Sequence, residues 1–484
     1  MSGVFDQLRR QITAGDVLLP GDEGYEESLK RWSDSAERPA FHAKGCRMGA
    51  DYEDPQAVVV RVTSPEEVST AVRFATAHKI PLTARGGGHS TSGASSSDGG
   101  MVIDLARMRN VSVDPAAQTV TYEGGCVFGD VDSALGAHGL ATVGGLYNQT
   151  GVGGLVLGGG HGFLTARHGL AIDNLISVEM VLADGSIVEV SETQKPDLFW
   201  AVRGAGAQFG IVTRFTSRAH PQGDVWGGPL MFTLDKVPEL VAFANEFHKR
   251  GVPDHNLIIG FGCAPEEYTT PVAIVVVLYN GPAAEGEKFF APVLALGPIS
   301  NMTGTMPYPT VNTLLNPRFD GPGRKRMGSC SVLMPLNAEF IAEAGRRFLD
   351  FIISHSGMAK SIIGFEFFPT AAIRATPHDA TVFASRGEHY LTVMALMYDG
   401  AHHDAEVRNF KRHLSNYIVT TCGHHGKRAP GDPAPVYVNL DHDESLKPED
   451  VYGNHIERLH GLKRTYDPEN VFHQGHGVMA EPTG

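Results

Sequence analysis

Hydrophobic positions near residue 60 follow first the period of a strand and then that of a helix. Ala57–Val62 is rich in β-branched residues and predicts a strand. Val68, Ala71, Val72 and Ala75 then fall on one helical face. Before them, Ser64-Pro65-Glu66-Glu67 is typical of a helix start, with Ser64 as the cap and Glu67 completing a capping box. A further short strand, Ile80–Arg85, leads directly into three glycines, so this part is predicted to run strand, helix, strand, glycine loop.

Later segments repeat both patterns. Ser177–Leu182 and Ser186–Ser191 predict a hairpin with an Asp-Gly pair at its turn, and Gly210–His220 predicts a strand. From about Trp226 glycine becomes less frequent and a second, α+β domain is expected. Its strand-like runs are Ala273–Leu278 and Tyr390–Met397, and its helical runs are Val237–His248 and Glu339–Ser354. The last fifty residues return to tight motifs and are expected to fold back onto the first domain.

The composition indicates a packed globular protein of several domains. The 484 residues are 42% hydrophobic and 19% charged. A net charge of −14 without a basic run argues against nucleic acid and against an anionic membrane surface as partners. The N-terminus lacks the apolar run of a signal peptide, and no stretch approaches the roughly 18 apolar residues of a spanning helix. A cytoplasmic protein, monomeric or homodimeric, is therefore expected.

Cysteine and histidine positions give no indication of a metal site. The five cysteines are scattered and are expected to be free thiols in a reducing compartment: Cys46, Cys126, Cys263, Cys330 and Cys422. The histidine-rich spots are interpreted as solvated loop residues because they lack partners at ligand spacing: His402-His403, His424-His425 and His442. No metal is therefore expected.

Two glycine-rich segments carry the candidate chemistry. Arg85–Ser90 offers consecutive backbone N–H groups that can wrap a pyrophosphate, although a tight turn with a surface histidine explains this loop equally well. Gly144–Gly162 is less ordinary, since glycine at Gly151, Gly153, Gly154 and Gly158–Gly160 suits a flat or extended ligand lying against backbone. A glycine-rich packing corner is the alternative.

Other nucleotide and hydrolase motifs are excluded. Gly204-Ala205-Gly206 is not a dinucleotide fingerprint, which needs a strand before it and a helix after it, because here Trp200-Ala201-Val202-Arg203 precedes it and a strand follows. No glycine loop is followed by Lys-Ser or Lys-Thr as in a P-loop, and no nucleophile elbow of the form Gly-x-Ser-x-Gly occurs.

Together these motifs resemble the FAD-binding domain of berberine-bridge-like oxidases, within the vanillyl-alcohol oxidase and p-cresol methylhydroxylase flavoproteins. The resemblance is carried by Arg85–Ser90, Gly151–Gly162, Gly169–Asn174, Asp197–Gly204 and Phe209–Thr213, and near the C-terminus by Tyr437-Val438-Asn439 and Tyr466–Phe472. It implies an α+β fold: a two-subdomain FAD-binding domain of the p-cresol methylhydroxylase type, plus a substrate domain with an antiparallel sheet covered by helices. The expected boundaries are 1–220 for the FAD domain (core about 52–220), 221–430 for the substrate domain and 431–484 for the returning segment.

The resemblance also implies how the flavin is held. In that family the histidine of the first glycine loop is bonded to the flavin 8α-methyl group, and His89 occupies this position. Many members bond a second-loop cysteine to flavin C6, but here that position falls on Tyr147, so FAD is expected to be attached once, through His89. The expected cofactor-binding residues are Arg85, Gly86, Gly87, Gly88, His89, Ser90, Gly145, Tyr147, Thr150, Gly151, Gly154, Gly158, His161, Gly162, Ile211 and Asn439.

The family's chemistry requires hydride transfer from a substrate carbon to flavin N5 and a base that takes a proton. Many relatives place a tyrosine directly after the asparagine of the C-terminal motif, where this chain has Leu440. The base is therefore sought on the substrate-domain strands. Glu366, flanked by apolar residues, could be a buried carboxyl with a raised pKa or equally an outward-facing strand residue. Tyr147, Tyr398 and His389 are further alternatives.

The predicted function is an FAD-dependent oxidoreductase acting on a small organic substrate: an alcohol, phenol, saccharide or secondary metabolite. In relatives, the residue three places after the second-loop cysteine position helps to admit or exclude O2; here it is Thr150, close in shape to the permissive valine. An oxidase that passes electrons to O2 is therefore expected. The alternatives are a dehydrogenase, a redox-neutral cyclase or isomerase on the same fold, and a flavin- or ligand-carrying protein with little catalysis.

Overall fold

A four-stranded sheet forms around the first predicted strand. The computed structural model of the protein describes residues 2–37, 58–265, 267–422, 437–440 and 446–479. The sheet order is β1-β2-β4-β3, with β1 antiparallel to β2 and the other pairs parallel. Its strands are β1 (Asp16–Leu18), β2 (Val58–Arg61), β3 (Leu82–Arg85) and β4 (Met101–Asp104). Ala57, the first residue of the predicted strand, lies outside the described residues.

Helix α3 (Pro65–Ala77) begins where the sequence predicts. The Ser64 hydroxyl accepts a hydrogen bond from the Glu67 N–H, and Pro65 lies in the first turn. The predicted capping box is not completed, however. The Glu67 carboxylate accepts instead from the N–H of Thr63 at 2.9 Å and from the N–H groups of residues 13–15. The Glu67 side chain therefore binds the N-terminal segment, more than 50 positions earlier in the chain, and the spacing of residues 64–67 could not predict this contact.

A five-stranded antiparallel sheet in the order β5-β6-β10-β8-β9 follows. Its strands are β5 (Val111–Asp114), β6 (Thr119–Glu123), β8 (Leu175–Val181), β9 (Ile187–Ser191) and β10 (Ile211–Arg218). The predicted hairpin is present as β8 and β9, with Gly185 at a φ of +77° in its turn. The predicted strand Gly210–His220 is divided between β10 and β11 (His220–Pro221), which pairs with β7 (Leu140–Ala141).

The second half of the chain builds an eight-stranded antiparallel sheet. The order is β15-β12-β14-β13-β18-β19-β17, with β16 also paired to β12. Its strands are β12 (Val225–Phe232), β13 (His255–Cys263), β14 (Pro271–Tyr279), β15 (Ser300–Asn301), β16 (Gly304–Met306), β17 (Arg324–Val332), β18 (Ile362–Phe367) and β19 (Tyr390–Tyr398). Helices α8 (Val237–Arg250), α12 (Ala338–Ser354) and α14 (Asp404–Thr421) share one hydrophobic core with it. The antiparallel sheet covered by helices is as predicted.

The C-terminal segment returns to the first half of the chain. Helix α16 (Ile456–Tyr466) packs on α7 (Pro196–Ala205). The Lys463 ammonium is fully buried there and donates to Asp467 Oδ2 at 2.7 Å and to the carbonyl groups of Gln208 and Phe472. The domain boundaries at 220 and 430 stay predictions, and residue 430 lies outside the described residues.

The remaining helices are short connectors or surface helices. They are α1 (Ser2–Gln11), α2 (Tyr25–Leu29), α4 (Phe128–Gly136), α5 (Val152–Leu157), α6 (Thr165–His168), α9 (Ala283–Leu294), α10 (Tyr308–Val311), α11 (Asn316–Phe319), α13 (Ala371–Ala375) and α15 (Pro448–Tyr452). Within the described ranges, none of the helices combines the length and apolarity needed to cross a membrane. Among the described residues, Cys126, Cys263, Cys330 and Cys422 form no disulfide with one another. Cys46, His424-His425 and His442 lie outside the described residues.

Candidate active site

The two glycine-rich segments meet backbone to backbone. The first follows β3 and the second leads into α5. A Cβ atom built on Gly87 would lie 2.5 Å from the Cα of Gly151, and one on Gly151 would lie 2.4 Å from the Gly87 nitrogen. Any side chain at either position would separate the loops. Gly154, one turn further, is exposed and has no atom within 4 Å of its Cβ position. The loops therefore present bare backbone that an extended ligand can approach closely.

His89 lies at the end of the first loop, between two aromatic rings. Its ring stacks on Trp32 with centroids 4.0 Å apart, and the Tyr147 ring lies 5.5 Å away. The His89 Nε2 atom is buried and has no hydrogen-bond partner in the described part of the chain. Burial, reinforced by the positive charge of Lys325, lowers the pKa of His89 to about 3. The imidazole is therefore neutral.

Trp32 is a site residue that the sequence did not indicate. Its backbone N–H donates to the Gly88 carbonyl at 3.1 Å. Its neighbour Ser33 bonds the backbone of Lys325, the second residue of β17 at the edge of the large sheet, and the Lys325 ammonium donates to the Trp32 carbonyl at 2.8 Å. The N-terminal segment therefore joins the first glycine loop to the eight-stranded sheet.

Tyr147 approaches His89 from the second loop. Its hydroxyl donates to Asp320 Oδ1 at 2.5 Å, and Gln149 donates to the same oxygen at 2.8 Å. Burial and this bond raise the pKa of Tyr147 well above its usual value. Thr150 follows half-buried, with its N–H bonded to the Tyr147 carbonyl. Tyr147 is thus held as a neutral phenol beside the histidine.

A cavity opens where the second loop faces the large sheet. It is narrow, with a volume of about 30 Å³. Its walls are mostly aromatic and aliphatic, with a few polar side chains between them. The lining residues are His161, Leu170, Glu366, Phe368, Thr370, Ile373, Phe383, Ser385, Gly387, His389, Tyr390, Leu391 and Tyr437. Such a mixture is typical of small-molecule sites.

Glu366 and His161 form the polar centre of this cavity. Glu366 comes from β18 and His161 follows three glycines, and Glu366 Oε2 lies 3.5 Å from His161 Nδ1. Burial alone raises the pKa of Glu366 to about 8, and burial together with His389 lowers the pKa of His161 to about 4. Near pH 7 both groups are therefore mostly uncharged, and their contact is not an ion pair. Glu366 faces inward, although the sequence left its orientation open.

The other predicted cofactor residues are placed around the two loops. Arg85 donates to Asp104 Oδ2 at 2.8 Å, and Ser90 bonds Ser92. Ile211 is buried in the hydrophobic core that contains the first sheet. Asn439 donates to the Leu155 carbonyl at 2.9 Å. The glycines Gly86, Gly88, Gly145, Gly158 and Gly162 are packed against neighbouring atoms in these loops.

Tyr398 is not brought to either cluster. It lies eight residues from Tyr390 on β19, and a strand rises about 3.3 Å per residue, so the two are about 26 Å apart. Its hydroxyl donates to Asp404, which pairs with Arg324. His389, in contrast, lines the cavity and bonds Ser385 at 2.9 Å.

Comparisons with known proteins agree with these loops. A family model described as an FAD binding domain matches residues 55–191, and one described as berberine and berberine like matches residues 436–479. The FAD-linked oxidoreductase pgmH of Aspergillus terreus is 35% identical, covering 97% of this chain and 94% of its own. The solved structure of 6-hydroxy-D-nicotine oxidase from Arthrobacter nicotinovorans is 25% identical, with a TM-score of 0.77 over 97% of this chain and 98% of its own. Xylooligosaccharide oxidase from Myceliophthora thermophila, at 22% identity, has a TM-score of 0.80 over 99% of this chain and 100% of its own.

Proposed function

Because the chain belongs to the FAD-linked oxidoreductases with a berberine-like C-terminal segment, we propose that it oxidises a small hydroxyl- or amine-bearing aromatic compound and passes the electrons to O2. One observation carries this proposal: a buried carboxyl, Glu366, faces a glycine-loop histidine inside a cavity with mostly apolar walls. The relative at 25% identity is named for the oxidation of 6-hydroxy-D-nicotine, which agrees with an aromatic substrate.

The residues present fit FAD. Gly87 and Gly151 hold the two loops in contact, and the open space beside Gly154 leaves room for an extended ligand. His89 offers a buried, neutral imidazole whose Nε2 atom has no hydrogen-bond partner in the described part of the chain, so no contact at that atom competes with a covalent link. Tyr147, at the position of the second link in many relatives, is engaged by Asp320 and is a poor nucleophile as a neutral phenol. We therefore propose one covalent link, through His89.

The bound flavin supplies the acceptor for a hydride from the substrate carbon. What the chain must add is a base for the substrate proton, and we assign this role to Glu366. As a carboxylate it accepts the proton of the substrate hydroxyl or amine. A pKa of about 8 makes it a stronger base than an exposed carboxylate, but one that is mostly protonated near pH 7. The apolar walls exclude the water that would otherwise solvate the charge.

A substrate panel tests this function. The holoenzyme is mixed anaerobically with hydroxybenzyl alcohols, hydroxylated aromatic amines and xylooligosaccharides, and the flavin absorbance is followed. Bleaching by the hydroxylated aromatics, followed by peroxide formation at one equivalent per product once air is admitted, is the expected result. Bleaching by the saccharides alone would refute the substrate class. Product formation without net O2 uptake would indicate a redox-neutral cyclase or isomerase instead.

A further inference from the structure

Three donor groups converge on the hydroxyl of Tyr437 at the edge of the cavity. The backbone N–H of His161 donates to this hydroxyl at 3.1 Å, and the side-chain amide of Asn439 donates to it at 2.9 Å. The Gly160 N–H is a third donor, and all three oppose the rise in pKa that burial and the nearby Glu366 cause. The side chain is 4% exposed and lines the same cavity as Glu366. Its position is therefore fixed by the second glycine loop and the C-terminal segment together.

The hydrogen bonds already made by the Tyr437 hydroxyl limit those that it can still make. A tyrosine hydroxyl has two lone pairs and one proton. The backbone N–H groups of His161 and Gly160 and the Asn439 amide share these two lone pairs, so the phenol oxygen is not available as an acceptor for substrate. Among the described residues no group accepts its proton. A buried donor left unused is costly, so the cavity side is where a partner is needed.

The glycine turn makes this arrangement possible. Gly159 has a φ of +125°, and a Cβ there would lie 2.7 Å from the Phe383 ring and 3.4 Å from that of Tyr437. Asn439 uses both of its amide hydrogens, one on Leu155 and one on Tyr437. Leu440, where many relatives have tyrosine, packs against the hydrophobic cluster that contains Tyr437 and Phe383. Within residues 437–440, the phenol that lines the cavity is thus that of Tyr437.

We infer that Tyr437 binds the reacting heteroatom of the substrate, donating its hydroxyl proton to the oxygen or nitrogen atom that loses its own proton to Glu366. The inference rests on the proposed function. In the reaction the substrate O–H or N–H bond breaks and the proton passes to the Glu366 carboxylate. The adjacent carbon loses a hydride, which carries two electrons to the flavin. Tyr437 keeps its proton throughout and holds the heteroatom in line with the base.

A matched pair of ligands separates this role from a structural one. In the holoenzyme, binding of 4-nitrophenol and of 4-nitrotoluene is titrated through the flavin absorbance. The two ligands differ only in the hydroxyl that Tyr437 would contact. Tyr437→Phe is expected to weaken 4-nitrophenol binding about tenfold, the effect of one hydrogen bond, and to leave 4-nitrotoluene within about twofold. Tyr452→Phe is the control, since that tyrosine is equally buried in the C-terminal segment but bonds the His476 carbonyl outside the cavity.

Each outcome decides the question. Equal weakening of both ligands by Tyr437→Phe would mean that the residue only supports the glycine turn, and the inference would fall. No effect on either ligand would also overturn it while leaving the oxidoreductase function intact, because the substrate panel tests that function independently. If neither ligand binds the wild-type protein, no hydroxyl of this class reaches Tyr437 and the inference falls, whereas the substrate panel still decides the proposed function.

Discussion

Replacing Trp32 with alanine is expected to make covalent attachment of FAD to His89 dependent on pH. The indole covers one face of the imidazole at 4.0 Å, and burial with the charge of Lys325 lowers the pKa of His89 to about 3. Only a neutral imidazole has the lone pair needed to form the bond. The wild-type histidine therefore stays competent in mild acid. Without the indole, water reaches the ring and the pKa moves back towards the ordinary value of 6.5.

The size of the effect follows from these two pKa values. At a pKa of 6.5, the neutral fraction falls from about 0.9 at pH 7.5 to about 0.03 at pH 5.0, a loss of about thirtyfold. At a pKa of about 3, the neutral fraction at pH 5.0 is still about 0.99. The wild-type rate of attachment should therefore be nearly constant over this range, whereas the Trp32→Ala rate should approach the thirtyfold fall.

Attachment is measured by mixing apo-protein with FAD at pH 5.0, 6.0 and 7.5. Flavin that survives denaturation is then quantified by gel fluorescence and by the mass of the intact chain. Trp32→Phe keeps an aromatic cover and should behave like the wild type, and His89→Ala should show no attachment. A thirtyfold fall in the wild type, or a flat profile for Trp32→Ala, would refute the claim that burial keeps His89 neutral.

Three further outcomes are expected. Glu366→Gln should slow flavin reduction by about 10²–10⁴-fold. In the wild type, the rate of flavin reduction should rise about tenfold from pH 7 to pH 9, because a group with a pKa of about 8 loses its proton over this range. A rate of flavin reduction that falls from pH 7 to pH 9 would exclude Glu366 as the base. Thr150→Leu should slow reoxidation of the reduced flavin by O2 in stopped-flow measurements, and an equal loss of flavin reduction would mean that Thr150 positions the flavin instead. Lys463→Met should lower the free energy of unfolding in urea by about 3–5 kcal/mol, because it leaves Asp467 as an unpaired buried charge. The exposed Lys249→Met is the control and should change it by less than about 1 kcal/mol.

The glycine loops were predictable because their chemistry is local. A run such as Gly158–Gly160 has no reason to exist in an ordinary core, and its resemblance to FAD-binding loops led to a fold and an enzyme class that the relatives confirm. The start of α3 was likewise predictable from four consecutive residues, 64–67. Covalent attachment at His89 and the roles of the site residues stay predictions.

Residues that act across long separations were missed or misjudged. Trp32 lies 57 positions before His89, and a lone tryptophan carries no local signal of what it will stack on. Glu67 fitted a capping box by spacing but is taken by the N–H groups of residues 13–15. Tyr398 shares a strand with a cavity residue, yet the extended rise of the backbone places it at the far end. The places of Trp32 and Glu67 were set by tertiary packing, which spacing in one sequence does not encode, whereas that of Tyr398 follows from the length of its own strand.

The hydrogen bond between the His161 N–H and Tyr437 joins residues 276 positions apart. At a synthesis rate of roughly 5–20 residues per second, the loop leaves the ribosome roughly 14–55 s before the phenol that completes it. During that interval the nascent chain holds the glycine backbone of the cofactor loops but no finished cavity. The cavity is therefore the last part of the protein to be completed during synthesis. A chain that ends before Tyr437 would contain the glycine loops but would lack part of the cavity wall.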